Sequence, residues 1–65
     1  MKQIEVDELE AMIDLENLAS LLETISDICH AKAEHIASNW QDPYTAASWR
    51  RAGVLVARLS QQVEI

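Results

Sequence analysis

The chain has 65 residues and a formal net charge of −6, so it is long enough for one small domain only. Its single cysteine, Cys29, excludes a disulfide within the chain and excludes zinc sites built from several cysteines. A core of this size supplies only about 3–5 kcal/mol of stability. With disulfides and structural metals set aside, we expect oligomerisation to stabilise the protein.

The composition predicts an all-α protein with few turns. Half of the residues (49%) are apolar, yet there is only one glycine and one proline. Alanine, leucine, glutamate and glutamine are plentiful, and all four favour helices. The sequence therefore indicates a few long helices rather than many short elements.

Neither end of the chain resembles a membrane or secretion segment. No apolar run approaches the ~20 residues that a membrane-spanning helix needs. The start, Met1-Lys2-Gln3-Ile4-Glu5, lacks the apolar core of a secretion signal. Because a lone cysteine is typical of a reducing compartment, we expect a cytoplasmic protein that does not associate with membranes.

The charge is unevenly distributed along the chain. Residues 1–30 hold eight of the eleven acids and one base, whereas residues 31–65 hold four bases and three acids. The acidic half should repel phosphates, so direct binding of nucleic acid is disfavoured. The simplest role of this acidic half is to keep the protein soluble. The same surface could also meet a basic partner or mimic nucleic acid.

The first predicted helix covers about 7–39 and is amphipathic. Asp7 and Glu10 have the spacing of a capping box, and Asp14 is a second possible start, with Ile13 and Leu18 spaced as a hydrophobic staple. We favour one long helix, kinked if at all near Asp14, over a separate short helix at the N-terminus.

The second predicted helix covers about 43–63 and follows a turn at 40–42. Asp42 is a good N-cap, and Pro43 falls at the first helical position, where its missing N–H costs nothing. A connection this short makes the two helices antiparallel neighbours, which gives a helical hairpin.

Two helices alone cannot enclose a core, and the first helix would extend well past the second. The economical arrangement is a homodimer in which two hairpins pair as a four-helix bundle. The predicted self-interface follows the apolar stripe of both helices. Its residues are Leu15, Leu18, Leu22, Ile25, Cys29, Ile36, Val56 and Leu59.

The three aromatic residues, Trp40, Tyr44 and Trp49, all lie within ten residues around the turn, next to Arg50 and Arg51. Trp, Tyr and Arg are the residue types enriched in binding hot spots. One interpretation is a partner-binding surface at the tip of the hairpin. The other is that the aromatic rings fill the open end of the hairpin, and both interpretations stay open.

The sequence gives only weak evidence for catalytic or metal-binding residues. Asp27, His30 and Glu34 share one side of the first helix, but a surface set of three with no fourth ligand favours an ordinary polar face. Cys29 lies on the apolar stripe, where a free cysteine behaves as a small hydrophobe. We expect no catalytic residue, no metal and no cofactor.

Three functions remain as hypotheses, none of them enzymatic. The first is a homodimeric module that binds or inhibits a larger, unidentified protein partner. The second is a regulator related to nucleic acid, either an acidic mimic or a weak direct binder through Arg50, Arg51 and Arg58. The third is a structural subunit of a larger assembly. Short acidic hairpins that pair are common among phage or plasmid accessory proteins, which is an architectural analogy only.

Overall fold

A computed structural model describes all 65 residues, Met1–Ile65. It contains three α-helices, α1 (Gln3–Glu16), α2 (Leu18–His35) and α3 (Pro43–Gln62), with a π-helical turn over Ile36–Trp40. There are no strands, so the prediction of an all-α fold is confirmed.

The predicted long helix is divided in two at Asn17, three residues beyond the predicted kink at Asp14. The backbone of Asn17 has φ 78° and ψ 158°, which no helix accommodates. The side chain of Asn17 accepts a hydrogen bond from the backbone N–H of Ser20 at 2.8 Å and so caps α2. Asn17 therefore ends one helix and begins the next, which corrects the preference for a single helix.

The N-terminal helix also begins earlier than the predicted position 7. The backbone N–H of Lys2 donates to Glu5 Oε1 at 3.1 Å, which satisfies one free donor at the start of α1. Asp7 lies inside α1 and accepts a hydrogen bond from the side chain of Gln3 at 2.9 Å. The Asp7–Glu10 spacing therefore does not mark a helix start.

The connection between α2 and α3 is built from local backbone chemistry. Gln41 adopts the left-handed conformation, with φ 50° and ψ 41°, and reverses the chain after the π-helical turn. Asp42 then caps α3, and Pro43 occupies the first helical position, as the sequence predicts. The Asp42 carboxylate accepts from the backbone N–H of Thr45 at 3.1 Å and from its hydroxyl at 2.6 Å.

These hydrogen bonds make the stability of the protein depend on the charge of Asp42. The Thr45 hydroxyl and backbone N–H hold the pKa of the Asp42 carboxyl below its ordinary value. A depressed pKa contributes stability above the ordinary pKa, and the contribution is lost as pH falls through the folded-state pKa. We expect the wild type to lose stability relative to Asp42→Asn, a neutral N-cap, as pH falls from 7 to 2.

Urea unfolding of both proteins over that pH range measures this difference. All other carboxyl groups are common to the two proteins, so their titration cancels. A difference in unfolding free energy that stays constant across the range would contradict the prediction.

The α2–α3 contact is made largely by small residues. Ala33 and Ala46 have no exposed surface, and Cys29 is buried beside them on the same hairpin interface. Ser26 is buried as well, and its hydroxyl donates to the backbone oxygen of Gly53 at 2.7 Å. Small side chains let two helix backbones approach closely, so the hairpin is held by close packing and one buried hydrogen bond.

Gly53 of α3 lies close to a side chain of α2. A Cβ atom at this position would stand 2.9 Å from Nε2 of His30, which lies over the glycine. His30 is exposed, as predicted for the polar side of the helix, and its ring also lies against α3. A larger residue at this position would have to displace the imidazole ring. Glycine fits beneath the ring without such a shift, although it lowers the intrinsic stability of the helix.

The molecule is thin, and it leaves an unusually large surface in contact with solvent. Its extents are 37 × 28 × 14 Å, so its smallest dimension admits at most two packed helices. The helix α1 contacts α2 alone. The accessible surface is 5240 Å², whereas a compact monomer of 7.3 kDa exposes about 4,200 Å². No large side chain is fully buried, so the chain does not enclose a core of its own.

Candidate interaction surfaces

Most of the predicted self-interface is used within the chain. Cys29 is buried against α3, so it is not available to a second copy in this conformation. Two predicted residues stay exposed, Leu15 (85%) and Leu59 (46%). The others are half-buried: Leu18, Leu22, Ile25, Ile36 and Val56.

The three aromatic residues differ in burial. Trp49 is half-buried, and the ammonium group of Lys32 lies 5.3 Å from the centre of its ring, a cation–π contact. Trp40 and Tyr44 are 72% and 87% exposed, so they do not fill the end of the hairpin. Two aromatic side chains are therefore free for contact near the turn, and Trp49 belongs to the hairpin itself.

The outer side of α3, which faces away from α2, carries a stripe of mixed apolar and basic character. Tyr44, Arg51, Leu55 and Arg58 follow one another at helical spacing, and all four are exposed. An open groove runs along the first part of this stripe. Its lining is formed by Tyr44, Ala47, Ser48, Arg51, Ala52 and Leu55. We call the surface formed by Tyr44, Arg51, Leu55 and Arg58 the α3 stripe.

The predicted partner-binding arginines differ in position. Arg51 lies on the α3 stripe between Tyr44 and Leu55. Arg50 is exposed too, but it lies about 100° around the helix from Arg51 and is not part of the groove lining. Only one of the two adjacent arginines therefore shares a surface with an exposed aromatic residue.

The helix α1 is apolar on two sides. One side carries Val6, Leu9 and Ile13, of which Ile13 is half-buried. The other side carries Ile4 (68% exposed), Met12 and Leu15, with Glu8 between them. We call this second surface the α1 stripe. Nothing in the chain covers it, because α1 contacts α2 alone.

The two stripes belong to helices of opposite charge. No base lies within α1, and no acid lies within α3. The acids of α1 are Glu5, Asp7, Glu8, Glu10, Asp14 and Glu16, and the bases of α3 are Arg50, Arg51 and Arg58. Within one chain these two helices do not pack together.

The negative surface of α1 continues onto α2. An open groove at the junction of the two helices is predominantly polar and has Leu15 at its edge. Its acids come from both helices: Glu16, Glu23 and Asp27. The α1 stripe therefore ends beside further carboxylates.

No three side chains among His, Cys, Asp and Glu come together as metal ligands. The thiol of Cys29 is buried within the hairpin, away from any groove. What the surface offers instead is exposed apolar area with charged groups beside it, which is the chemistry of contact between macromolecules.

Sequence reasoning missed two residues that organise the hairpin, Ser26 and Asn17. A serine inside an apolar stripe gives only a weak signal of a buried hydrogen bond. Asn17 offered a stronger one, since asparagine is enriched at N-caps and at positive φ.

The fold and its surfaces define an all-α protein built from three helices. No known family matches the chain, and no curated protein or solved structure matches it either. None of its three helices combines the length and the apolar character that crossing a bilayer requires.

Proposed function

We propose that the protein is a non-catalytic protein–protein interaction module that works as a homodimer of helical hairpins and binds or inhibits a larger partner. The observation that carries this proposal is the surface excess. The chain exposes about 1,100 Å² more than a compact monomer of its mass, which exceeds the ~800 Å² that each partner buries in a standard interface.

The distribution of the exposed apolar residues supports two contacts rather than one. One group lies on α1 and along α3, far from the turn. The other group is the pair Trp40 and Tyr44 at the turn. We assign the first to self-association and the second to the larger partner, because exposed aromatic residues are the usual anchors of an interface. A cytoplasmic location, expected from the single cysteine, belongs to the same proposal.

Solution mass tests self-association. Light scattering during size-exclusion chromatography, over a concentration series, should give about twice the chain mass of 7.3 kDa at the higher concentrations. A mass of one chain at every concentration would refute the homodimer.

Partner binding is tested by a substitution at the turn. Trp40→Ala should abolish capture of a partner, and the helix content measured by circular dichroism should not change, since the side chain is exposed. Val54→Ala, at an exposed apolar position elsewhere on α3, is the matched control and should leave capture intact. Equal capture by all three proteins would remove the turn from the proposed function.

A further inference from the structure

The unpartnered apolar surface of α1 has a complementary surface in the same chain that it does not touch. The α1 stripe consists of Ile4, Glu8, Met12 and Leu15, and the α3 stripe consists of Tyr44, Arg51, Leu55 and Arg58. Both combine exposed apolar side chains with charge, acidic on α1 and basic on α3. Since α1 and α3 do not pack together within a chain, these surfaces are free for a second copy.

We propose that α1 of each copy docks along the α3 stripe of the other, so that the homodimer contains two identical α1–α3 contacts. This inference rests on the proposed homodimer and specifies its interface. It differs from the four-helix bundle expected from the sequence, because the contact uses the outer side of α3 rather than the apolar seam of the hairpin.

The length of α1 matches that of the α3 stripe, and the α1 stripe from Ile4 to Leu15 spans about 17 Å of it. At 1.5 Å per residue, α1 is about 21 Å long, and the α3 stripe from Tyr44 to Arg58 also extends about 21 Å. One helix therefore covers the whole of the other stripe, including the groove between Tyr44 and Leu55. The apolar residues of α1 meet apolar residues of α3 along this length.

Charge complementarity selects a second copy as the occupant. A helix with six acids and no base meets a helix with three bases and no acid, so the contact is attractive in both reciprocal positions. Contact between two α1 helices or between two α3 helices would place like charges together, which costs several kcal/mol. The carboxylates of Glu16, Glu23 and Asp27 extend the negative surface beyond the end of α1.

The surface areas are consistent with this contact. A reciprocal arrangement buries one side of α1 and one side of α3 on every chain, and the excess surface of about 1,100 Å² per chain is of that size. The interface would be closed by twofold symmetry, which leaves no free stripe for further copies. Of the two exposed aromatic residues near the turn, Tyr44 lies partly in the interface and Trp40 stays free.

Two charge-reversed variants test the contact. The first, Arg51→Glu with Arg58→Glu, makes the α3 stripe acidic. The second, Glu8→Lys with Glu16→Lys, replaces the acid of the α1 stripe and the acid beside its end by bases. All four positions are exposed, so the helix content should be unchanged. Each variant alone places like charges together at both contacts, and its dimer dissociation constant should rise by at least about a hundredfold.

Mixing the two variants restores opposite charges at both contacts. An equimolar mixture should therefore form a heterodimer, with a dissociation constant within about tenfold of the wild-type value. Analytical ultracentrifugation measures all of these constants. Raising the salt concentration should weaken both the wild-type dimer and the heterodimer, because the attraction is screened.

Control variants carry one charge reversal each outside the stripes, half the change in net charge of the stripe variants. Arg50→Glu lies on α3 but off the stripe, and Glu10→Lys lies on the opposite side of α1 from Glu8. Both should dimerise like the wild type. If they weaken the dimer as much as the stripe variants do, net charge and not the α1–α3 contact controls association, and the inference is overturned.

The outcomes separate this inference from the proposed function. If the wild type dimerises and both stripe variants dimerise equally well, or if mixing restores nothing, the interface lies elsewhere, while the homodimer stands. If the wild type is monomeric, the homodimer itself fails, and the proposed interface fails with it.

Discussion

Replacing Ala33 by leucine should destabilise the protein by about 2–3 kcal/mol, because a well-packed contact has no room for three additional carbon atoms. Ala33 has no exposed surface and lies where α2 meets α3 through small side chains. A domain of this size has only about 3–5 kcal/mol of stability. We therefore expect about 0–3 kcal/mol of stability to remain, which circular dichroism detects as loss of the helix signal at a much lower urea concentration.

Ala31→Leu is the matched control for this substitution. It makes the same chemical change two residues away on the same helix, at an exposed position. Its effect on the unfolding free energy should stay within about 0.5 kcal/mol. Equal stability of the two leucine variants in urea unfolding would show that α2 and α3 are not in close contact at Ala33.

The second large effect is expected at Asn17, where glycine and alanine should act in opposite directions. The backbone conformation of Asn17 is one that only glycine adopts freely, and it costs other residues about 1–3 kcal/mol. Asn17→Gly removes this strain and loses only a few tenths of a kcal/mol of N-cap energy, so it should stabilise the protein by about 1 kcal/mol. Asn17→Ala loses the cap and keeps the strain, so it should destabilise the protein by about 1–2 kcal/mol.

The difference between the two variants, about 2–3 kcal/mol, is measured by urea unfolding at neutral pH. A second measurement, helix content by circular dichroism, tests whether α1 and α2 remain separate helices in each variant. If the alanine variant proves the more stable and gains helix content, α1 and α2 have joined into one continuous helix. That result would show that the break at Asn17 is not the preferred conformation.

The local features of the chain could be predicted from its sequence because they depend on residues close together. The start of α3 is an example: an aspartate before a proline satisfies free N–H groups and presets the first helical φ, and no distant contact is needed. The helical composition and the single apolar stripe of α2 likewise follow from propensity and spacing.

The end of α1 is harder to predict from the sequence than the start of α3. Residues 7–39 contain no proline or glycine that would stop a helix, so propensity alone favours continuity. The actual break relies on one asparagine that caps the next helix from a strained conformation, and on a hydrogen bond from the Ala19 N–H to the Ile65 oxygen at 2.6 Å. The second of these joins the start of α2 to Ile65, far away in the sequence, which no local pattern reveals.

By itself, the sequence determined the class of fold, the site of the turn and the opposite charges of α1 and α3, since these are properties of composition and short-range order. Only the tertiary structure decided which apolar side chains are covered. Periodicity marks a side of a helix as apolar, but it does not say which neighbour packs there. The hairpin buries Cys29 and Ala33 with the small residues of α3, and it leaves Leu15 and Leu55 exposed. Burial depends on the distance between helices, and that distance is set by residues far apart in the chain.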